Sequence, residues 1–514
     1  MFTTIYSAAV YGLQAQLIRV EVDLAGGLPS FQMVGSLGSE VRESKERVCV
    51  AMKNSGFQLP PCHITVNLAP ADRRKDGTAF DLPIAMGLLR DMELLPEETL
   101  RDTLFLGELG LNGEIKKVKG VLPIVQEAVK KEIRKIVVPG ENALEAAVIP
   151  GITVWGVNSL TELVAALLNP SEEENHIYKP RIRAEELLQK EGGKGRGDFR
   201  EVTGQENAKR GAMIAAAGFH NLLMVGQPGV GKSMIAGRIP GILPPLTLEE
   251  SLEVTGIFSV AGLLSAGQAL ITQRPFFAPH HTVTQAALIG GGTGIPRPGM
   301  VSLAHRGVLF LDELPEFSRT VLDSMRQPME DHKVQIARAA GMINYPSDFM
   351  LVAAMNPCPC GYYPDRNKCR CTQPQIEKYL GKVSGPILDR IDLCVELQPV
   401  DILHLQRSVL STGSEEMKEK IRCAREIQAE RFAGTGYRFN GDIPSADMEK
   451  YCELGAEETG VMERMYDTLK LSARAYHRIL KTARTIADME GSKNIIKEHL
   501  LEAACYRPSE KYWN

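Results

Sequence analysis

One segment of the chain has the residue types and the spacing of a phosphate-binding loop. It matches G-x-x-x-x-G-K-[ST] at every fixed position, with the residues Gly226, Gln227, Pro228, Gly229, Val230, Gly231, Lys232 and Ser233. The glycines let backbone N–H groups close around a phosphate, and the N-terminus of a following helix adds a positive dipole end. Because Lys232 is expected to reach the β- and γ-phosphates and Ser233 to hold Mg²⁺, the segment predicts a Mg·ATP site.

Two more sets of polar residues follow apolar runs further along the chain. The run Val308–Leu311 leads into Asp312 and Glu313, and the run 350–354 leads to Asn356. At the tip of a strand beside a phosphate loop, Asp312 can hold hydrated magnesium, and Glu313 can act as a general base toward the attacking water. The amide of Asn356 can orient the same water. An isolated Asn at a strand end is usually a cap, so this assignment depends on the order of the three motifs.

The chain that positions these groups has 514 residues and a formal net charge of −4. Hydrophobic residues make up 44% and charged residues 24%, which is typical of a globular protein and unlike disordered, collagen-like or disulfide-scaffold chains. At about 150 residues per domain, this length predicts roughly three domains. The near-neutral balance argues against a generally polybasic nucleic-acid binder, so any such contact must come from local patches.

The N-terminal stretch predicts neither a signal peptide nor a membrane span. It has no basic n-region, and Arg19, Glu21 and Asp23 interrupt its apolar run. Ten cysteines in such a chain indicate a reducing compartment. We therefore expect a cytoplasmic protein without a membrane partner.

The pattern of apolar residues divides the chain into four parts. They are an α/β part, a charged and Gly-rich linker, a part with βα alternation and a helical part, with predicted bounds 1–170, 171–200, 201–400 and 401–514. The third part is expected to form a buried parallel sheet from the apolar strand cores 222–225, 307–311 and 350–354. In the first part, the periodicity predicts strands at 64–70 and 135–140. It predicts amphipathic helices at 41–56 and 123–132.

Five motifs occur in a characteristic order: GQPGVGKS (226–233), GVLFLDELPEF (307–317), AAMNPCPCG (353–361), GPILDRIDL (385–393) and LSARAYHRILKTARTIAD (471–488). Together they resemble the AAA+ ATPases of the magnesium-chelatase-like group, in particular its ComM/YifB family. The segment PHHTVTQAALIGGG at 279–292 is similar to the same group. The resemblance implies an α/β fold with a P-loop AAA+ core, built on a parallel sheet, and a C-terminal helical lid.

This resemblance assigns roles to three further residues. Asn356 corresponds to sensor 1, Arg474 to sensor 2 on the lid, and Arg390 to the arginine finger that stabilises charge on a neighbouring subunit's γ-phosphate. The alternative for Arg390 is an ion pair within the chain, with Asp389 or Asp392. A finger that acts between subunits implies a ring, and the resemblance implies a homo-oligomer, a hexamer.

Two N-terminal segments, GTAFDLPIA (77–85) and GELGLNGEIKKVKGVLPIVQEA (107–128), resemble the Lon-protease-like domain of ribosomal-S5 domain-2 type. Lon-type peptidases need a Ser nucleophile and a Lys base from these segments. Ala79 and Leu122 occupy the matching positions. We therefore expect residues 1–170 to be a Lon-like α/β domain without the catalytic dyad, which disfavours proteolysis.

Three basic clusters are candidate DNA contacts. The clusters at 73–75 and 116–119 are short, and solvated loops are the alternative for both. The third cluster forms one basic face of a predicted helix through Lys470, Arg474, Arg478, Lys481 and Arg484. Apart from Arg474, these residues are either lid surface or a stripe that faces DNA.

Four cysteines form a candidate metal site. Cys358, Cys360, Cys369 and Cys371 give C-x-C, eight residues and C-x-C, which suits a tetrahedral structural Zn²⁺. Free buried thiols and a redox switch are the alternatives. The adjacent His280 and His281 are expected to lie in a structural or DNA-contacting loop rather than to bind a metal.

The resemblance implies a ring-forming, Mg·ATP-dependent motor that acts on DNA, with branch migration in homologous recombination and natural transformation as its expected activity. A metal-insertion ATPase of the magnesium-chelatase type is one alternative. A protein remodeller without proteolytic activity is another.

Overall fold

The computed structural model describes residues 2–507 except 170, 172, 191–196, 293, 339–340 and 400–411. In chain order the strands are β1 (Thr3–Tyr11), β2 (Gln14–Ala25), β3 (Ser30–Val34), β4 (His63–Ala69), β5 (Thr103–Phe105), β6 (Glu108–Leu109), β7 (Ile115–Lys116), β8 (Lys135–Pro139), β9 (Thr153–Val157), β10 (Leu222–Gly226), β11 (Phe276–Phe277), β12 (Gly290–Gly291), β13 (Arg297–Pro298), β14 (Val308–Leu311), β15 (Lys333–Arg338), β16 (Gly341–Pro346), β17 (Met350–Met355) and β18 (Leu393–Leu397). The α-helices are Ser39–Arg42, Ser44–Asn54, Asp81–Asp91, Val121–Lys130, Ala143–Ala147, Leu160–Leu168, Glu173–His176, Ala184–Lys190, Glu206–Gly218, Lys232–Ile242, Leu248–Ala261, Gln285–Ile289, Met300–Leu303, Arg319–Ser324, Arg326–Asp331, Gln373–Leu380, Gly385–Leu388, Ser414–Arg431, Met448–Tyr451, Ala456–Thr468, Ala473–Met489 and Lys497–Cys505.

The N-terminal sheet is mixed and has the strand order β3-β4-β2-β1-β5-β8-β9. Strand β2 pairs antiparallel with β1 and β4, whereas the other neighbours pair in parallel. Successive residues Ile136 and Val137 of β8 enter two different hydrophobic cores, so both faces of the sheet are covered. The strands and helices predicted for this part are confirmed with small shifts of their ends.

A second sheet, with the order β11-β14-β17-β10-β18, is parallel throughout. Every residue of β10, β14 and β17 is buried, as expected for apolar strands that are covered on both faces. These three are the strands that the sequence predicted, whereas β11 and β18 were not predicted. Because the strands are parallel, the polar residues that follow β10, β14 and β17 meet at one edge of the sheet.

Helices follow the second sheet, and residues 412–507 contain no strand. The predicted division at residues 170 and 400 falls on positions outside the described residues, so the domain bounds stay predictions. Of the predicted linker, the structure shows the helices Glu173–His176 and Ala184–Lys190. Its Gly-rich residues 191–196 lie outside the described residues.

The N-terminal part packs directly against the helix Leu248–Ala261, which is the second helix after β10. The amide of Gly120 donates to Ser259 O at 3.1 Å, and Lys117 Nζ donates to Leu264 O at 2.5 Å. Ser259 Oγ also donates to the buried carboxylate of Glu145. Burial raises the pKa of Glu145, and its hydrogen bonds offset part of that effect. The N-terminal part and residues 248–264 are thus joined by satisfied polar contacts.

In the described part of the chain, no helix combines the length and the apolar character that crossing a membrane requires.

One buried carboxylate fixes the C-terminal helices to one another. Asp488 accepts hydrogen bonds from both terminal nitrogens of Arg431, at 2.6 and 2.5 Å, and from Asn440 Nδ2 at 2.8 Å. It also accepts from Arg484 Nε at 3.1 Å. Asp488 therefore links the helices Ser414–Arg431 and Ala473–Met489, and the second of these carries Arg474.

We expect Asp488→Ala to destabilise the C-terminal helices by about 3–5 kcal/mol, because two arginines lose the carboxylate that pairs with them. Hydrogen exchange of peptides from residues 414–431 and 473–489 measures the effect. The matched control is Asp467→Ala, which removes an exposed carboxylate from a neighbouring helix. Equal protection in the two variants would contradict the structural role of Asp488.

Candidate functional site

The phosphate-binding loop connects β10 to the helix Lys232–Ile242, and its lysine is held by oxygen atoms. Lys232 Nζ donates to Gly226 O at 2.7 Å, to Gln227 O at 2.9 Å and to Asn356 Oδ1 at 3.0 Å. Burial lowers the pKa of Lys232, and the nearby acidic residues oppose that effect. A buried ammonium surrounded by neutral oxygens is well suited to an anionic partner.

The glycines of the loop are needed for its conformation. Gly229 and Gly231 have φ of +79° and +97°, values that L side chains rarely adopt. A Cβ atom at either position would meet no heavy atom within 4 Å, so space is not the restriction. The backbone conformation itself therefore explains the glycines.

The end of β14 places an acidic residue against the loop. Ser233 Oγ donates to Asp312 Oδ2 at 2.7 Å, which joins the two predicted magnesium ligands. A hydroxyl and a carboxylate are hard oxygen donors of the kind that Mg²⁺ prefers, so the donor set fits this ion.

Glu313 is placed beside a histidine. Its backbone is left-handed with φ of +52°, and its side chain is 55% exposed. Its Oε2 lies 3.6 Å from His281 Nδ1, a contact that becomes an ion pair when His281 is protonated. The sequence placed His281 in a structural or DNA-contacting loop, and the place of its segment (279–292) ahead of β14 in the chain was the only signal of this contact. His281 therefore belongs to the candidate site.

Arg390 pairs with an acid that the sequence did not indicate. Its Nη2 lies 2.5 Å from Glu330 Oε2, and its Nη1 donates to Pro386 O at 2.6 Å. The alternative to the finger was an ion pair within the chain, with Asp389 or Asp392. Such an ion pair does form, but its acidic partner is Glu330, so the two predicted partners are wrong.

Arg474 approaches the same carboxylate from the helical part. Arg474 Nη2 lies 4.0 Å from Glu330 Oε1, and its Nη1 lies 3.8 Å from Asp389 Oδ2. The side chain is 60% exposed, which leaves it free to turn toward another partner. Glu330 thus connects the two arginines that the family resemblance singles out.

The predicted basic stripe on the helix Ala473–Met489 is wrong for three of its members. Arg478 Nη1 donates to Leu388 O and Ile391 O at 2.9 and 2.5 Å, and Lys481 Nζ donates to Gly441 O at 2.8 Å. Arg484 is buried and bound to Asp488. These cations connect the helix to the rest of the chain and do not form a surface for DNA, whereas Lys470 and Arg474 are exposed.

In each of the two short N-terminal clusters, one lysine is bound within the fold. Lys75 is buried and donates to Pro70 O and to Arg73 O. Lys117 is bound to Leu264 O, at the contact between the two sheets. Exposed cations remain at Arg73, Arg74, Lys116 and Lys119. Fewer cations are therefore available for phosphate contacts than the sequence pattern indicated.

Two small hairpins carry exposed arginines that the sequence analysis did not single out. Strands β12 and β13 form one hairpin with Arg297, and β15 and β16 form another with Arg338. The hairpins adjoin, since a Cβ at Gly291 would lie 3.6 Å from Arg338 Nη2. Both are inserted between β11 and β17. Single arginines give no cluster in the sequence, which is why they were missed.

The Lon-like part holds no peptidase dyad at the expected positions. Ala79 lines a cavity of about 520 Å³ between the N-terminal part and residues 294–297, and Leu122 is fully buried. The neighbouring Thr78 Oγ1 donates to Glu108 Oε2 at 2.5 Å. Alanine and leucine supply neither nucleophile nor base at these two positions.

The four cysteines of the candidate metal site come together. Cys358, Cys360, Cys369 and Cys371 have Sγ atoms within 4.8 Å of one another, and all four are free thiols.

Three family profiles match successive parts of the chain. The profile described as subunit ChlI of Mg-chelatase matches residues 20–142. The profile for magnesium chelatase, subunit ChlI, matches 198–405, and the profile for the C-terminal part of that subunit matches 411–507.

The chain is similar to whole proteins of the same kind. Competence protein ComM of Haemophilus influenzae is 42% identical over 509 residues, which cover 98% of this chain and 97% of ComM. Protein YifB of Escherichia coli K12 is 42% identical over 509 residues, which cover 99% of this chain and 97% of YifB. Lon protease 2 of Bacillus subtilis is 27% identical over 295 residues, about half of each chain.

Proposed function

The chain belongs to the ComM/YifB family of magnesium-chelatase-like AAA+ ATPases, and from this membership we propose that it is a ring-forming ATP hydrolase that moves DNA. The observation that carries the hydrolase part is the convergence of Lys232, Ser233, Asp312 and Asn356 at one edge of a parallel sheet. We propose branch migration of recombination intermediates, including those of natural transformation, as the activity on DNA. One relative is named a competence protein, which agrees with that proposal.

Each residue at the sheet edge has a separate task in the proposed reaction. Lys232 binds the β- and γ-phosphates, and Ser233 and Asp312 hold Mg²⁺, which neutralises charge on the phosphates when it is bound. Glu313 accepts a proton from the attacking water, whose oxygen forms a bond to the γ-phosphorus as the bond to ADP breaks. Asn356 orients that water.

Arg390 completes the site of a neighbouring subunit in this proposal. A guanidinium stabilises the charge that develops on the γ-phosphate, and no group on the same subunit needs to supply it. To reach a neighbour, Arg390 must exchange its contact with Glu330 for the phosphate. In the same proposal Arg474, which lies 4.0 Å from this carboxylate, responds to that exchange as the sensor of the lid.

We propose that DNA contacts the exposed arginines of the two hairpins. Arg297 and Arg338 lie on adjoining hairpins inserted between strands of the ATPase sheet, and we propose that these hairpins face the centre of the ring. Arginine binds phosphate oxygens through two donors at once. Contacts limited to a ring channel are compatible with a net charge of −4. The ten free cysteines and the ATP substrate fit a cytoplasmic location.

The function is tested by the ATPase rate of the full chain with single-stranded, duplex and four-way DNA, alongside a Lys232→Ala control. We expect at least one DNA to raise the rate.

The double variant Arg297→Ala with Arg338→Ala should weaken DNA binding. It should also lower the slope of log binding constant against log salt concentration by up to about 2 units. Arg319→Ala, an exposed arginine on a helix, is the matched control. Failure of all three DNAs to bind or stimulate would contradict the DNA function and favour a metal-insertion ATPase or a protein remodeller.

Arg390→Ala is expected to keep ATP affinity within a few-fold and to lower turnover by roughly 10³-fold or more, since the finger acts on developing charge. Fluorescent ATP binding and steady-state phosphate release measure the two effects. Glu330→Ala separates this role from a structural ion pair because it breaks the same contact and leaves the guanidinium in place. An equal loss of turnover in the two variants would reject the finger.

A further inference from the structure

The spacing of the four cysteine sulfurs matches a shared metal ion. Cys358 Sγ lies 3.3 Å from Cys360 Sγ and 3.8 Å from Cys369 Sγ, and Cys360 Sγ lies 3.6 Å from Cys369 Sγ. A tetrahedral site with Zn–S bonds of about 2.3 Å requires sulfurs about 3.8 Å apart. Sulfurs joined in a disulfide are only about 2.05 Å apart. The thiols therefore have the separations of metal ligands.

The segment that carries the cysteines lacks regular structure of its own. Residues 356–372 are all described and form neither helix nor strand. Cys358 and Cys369 are buried, and Tyr363 N donates a hydrogen bond to Cys358 Sγ at 3.4 Å. A short loop without a backbone ladder gains its order from a cross-link, and a bound metal supplies one.

We propose that Cys358, Cys360, Cys369 and Cys371 bind one Zn²⁺ in a closed structural site, and that this ion holds the loop against the phosphate-binding loop. A set of four thiolates selects a soft or borderline ion such as Zn²⁺ over Mg²⁺. Four protein ligands leave no open position for water or substrate, so the ion supports structure and takes no part in chemistry.

Two contacts connect this site to the nucleotide site. Asn356 precedes Cys358 by two residues, and its Oδ1 accepts from Lys232 Nζ at 3.0 Å. On the other side, Gly361 follows Cys360 with φ of +86°, and a Cβ there would lie 2.5 Å from Pro228 Cδ. The loop thus touches the phosphate-binding loop at its lysine and at its proline. This part of the proposal rests on the proposed ATP hydrolysis.

The metal is tested first, without reference to turnover. We expect one zinc per chain in the purified full-length protein by elemental analysis, and thiolate-to-metal absorption after exchange with Co²⁺. Cys358→Ser with Cys369→Ser should lose the zinc, whereas Cys423→Ser, at an exposed cysteine, should keep it. Wild-type protein without zinc that gives no thiolate–cobalt bands, or a disulfide mapped among these cysteines, would overturn the site. The wild-type measurements decide even where the double variant does not fold.

The connection to the nucleotide site is tested by Gly361→Ala, which spares all four ligands. The added Cβ meets Pro228, so we expect one zinc per chain and at least a tenfold loss of ATP turnover. Gly434→Ala is the matched control, because Gly434 also has a positive φ, of +75°, and a Cβ there meets nothing within 4 Å. Wild-type turnover in Gly361→Ala would reject the connection. Zinc-loaded wild-type protein without any ATPase activity would instead contradict the proposed function and leave the metal site intact.

Discussion

The buried ammonium of Lys232 is the interaction on which the nucleotide site depends. A charge at 8% exposure must have oxygen partners, and the loop carbonyls of Gly226 and Gln227 supply two of them. The third, Asn356 Oδ1, comes from the end of another strand. One lysine thereby fixes the separation between β10 and β17 where they end. Asp312, bound to Ser233, does the same for β14.

Two further features lie beside the same edge. The cysteine loop begins directly after Asn356 and returns to touch Pro228, so it covers one flank of the phosphate-binding loop. On another side, His281 approaches Glu313. Arg390 and Arg474, by contrast, meet at Glu330 toward the opposite end of the sheet, since Arg390 precedes β18 and its carbonyl accepts from Asn221 Nδ2, just before β10.

The sequence predicted what depends on local chemistry and strand order. The three apolar strands and the residues that follow them lie as expected, because a parallel sheet brings its carboxyl ends together. The sequence could not predict which hydrogen-bond and ion-pair partners distant segments supply to its charged side chains. Periodicity placed Arg478, Lys481 and Arg484 on one helix face, but only the folded chain offers them carbonyls and Asp488. Lys75 and Glu330 follow the same rule: a charge in the sequence does not reveal whether it is bound within the fold.

The proposal that two neighbouring subunits build each ATPase site together is tested most directly by mixing two inactive variants. Lys232→Ala removes the phosphate-binding lysine, and Arg390→Ala removes the finger. If each site combines Lys232 of one subunit with Arg390 of its neighbour, mixed rings contain some complete sites. The account predicts that the mixture hydrolyses ATP at a measurable fraction of the wild-type rate, although neither variant does so alone. A mixture that forms mixed oligomers and stays as inactive as its components would contradict it.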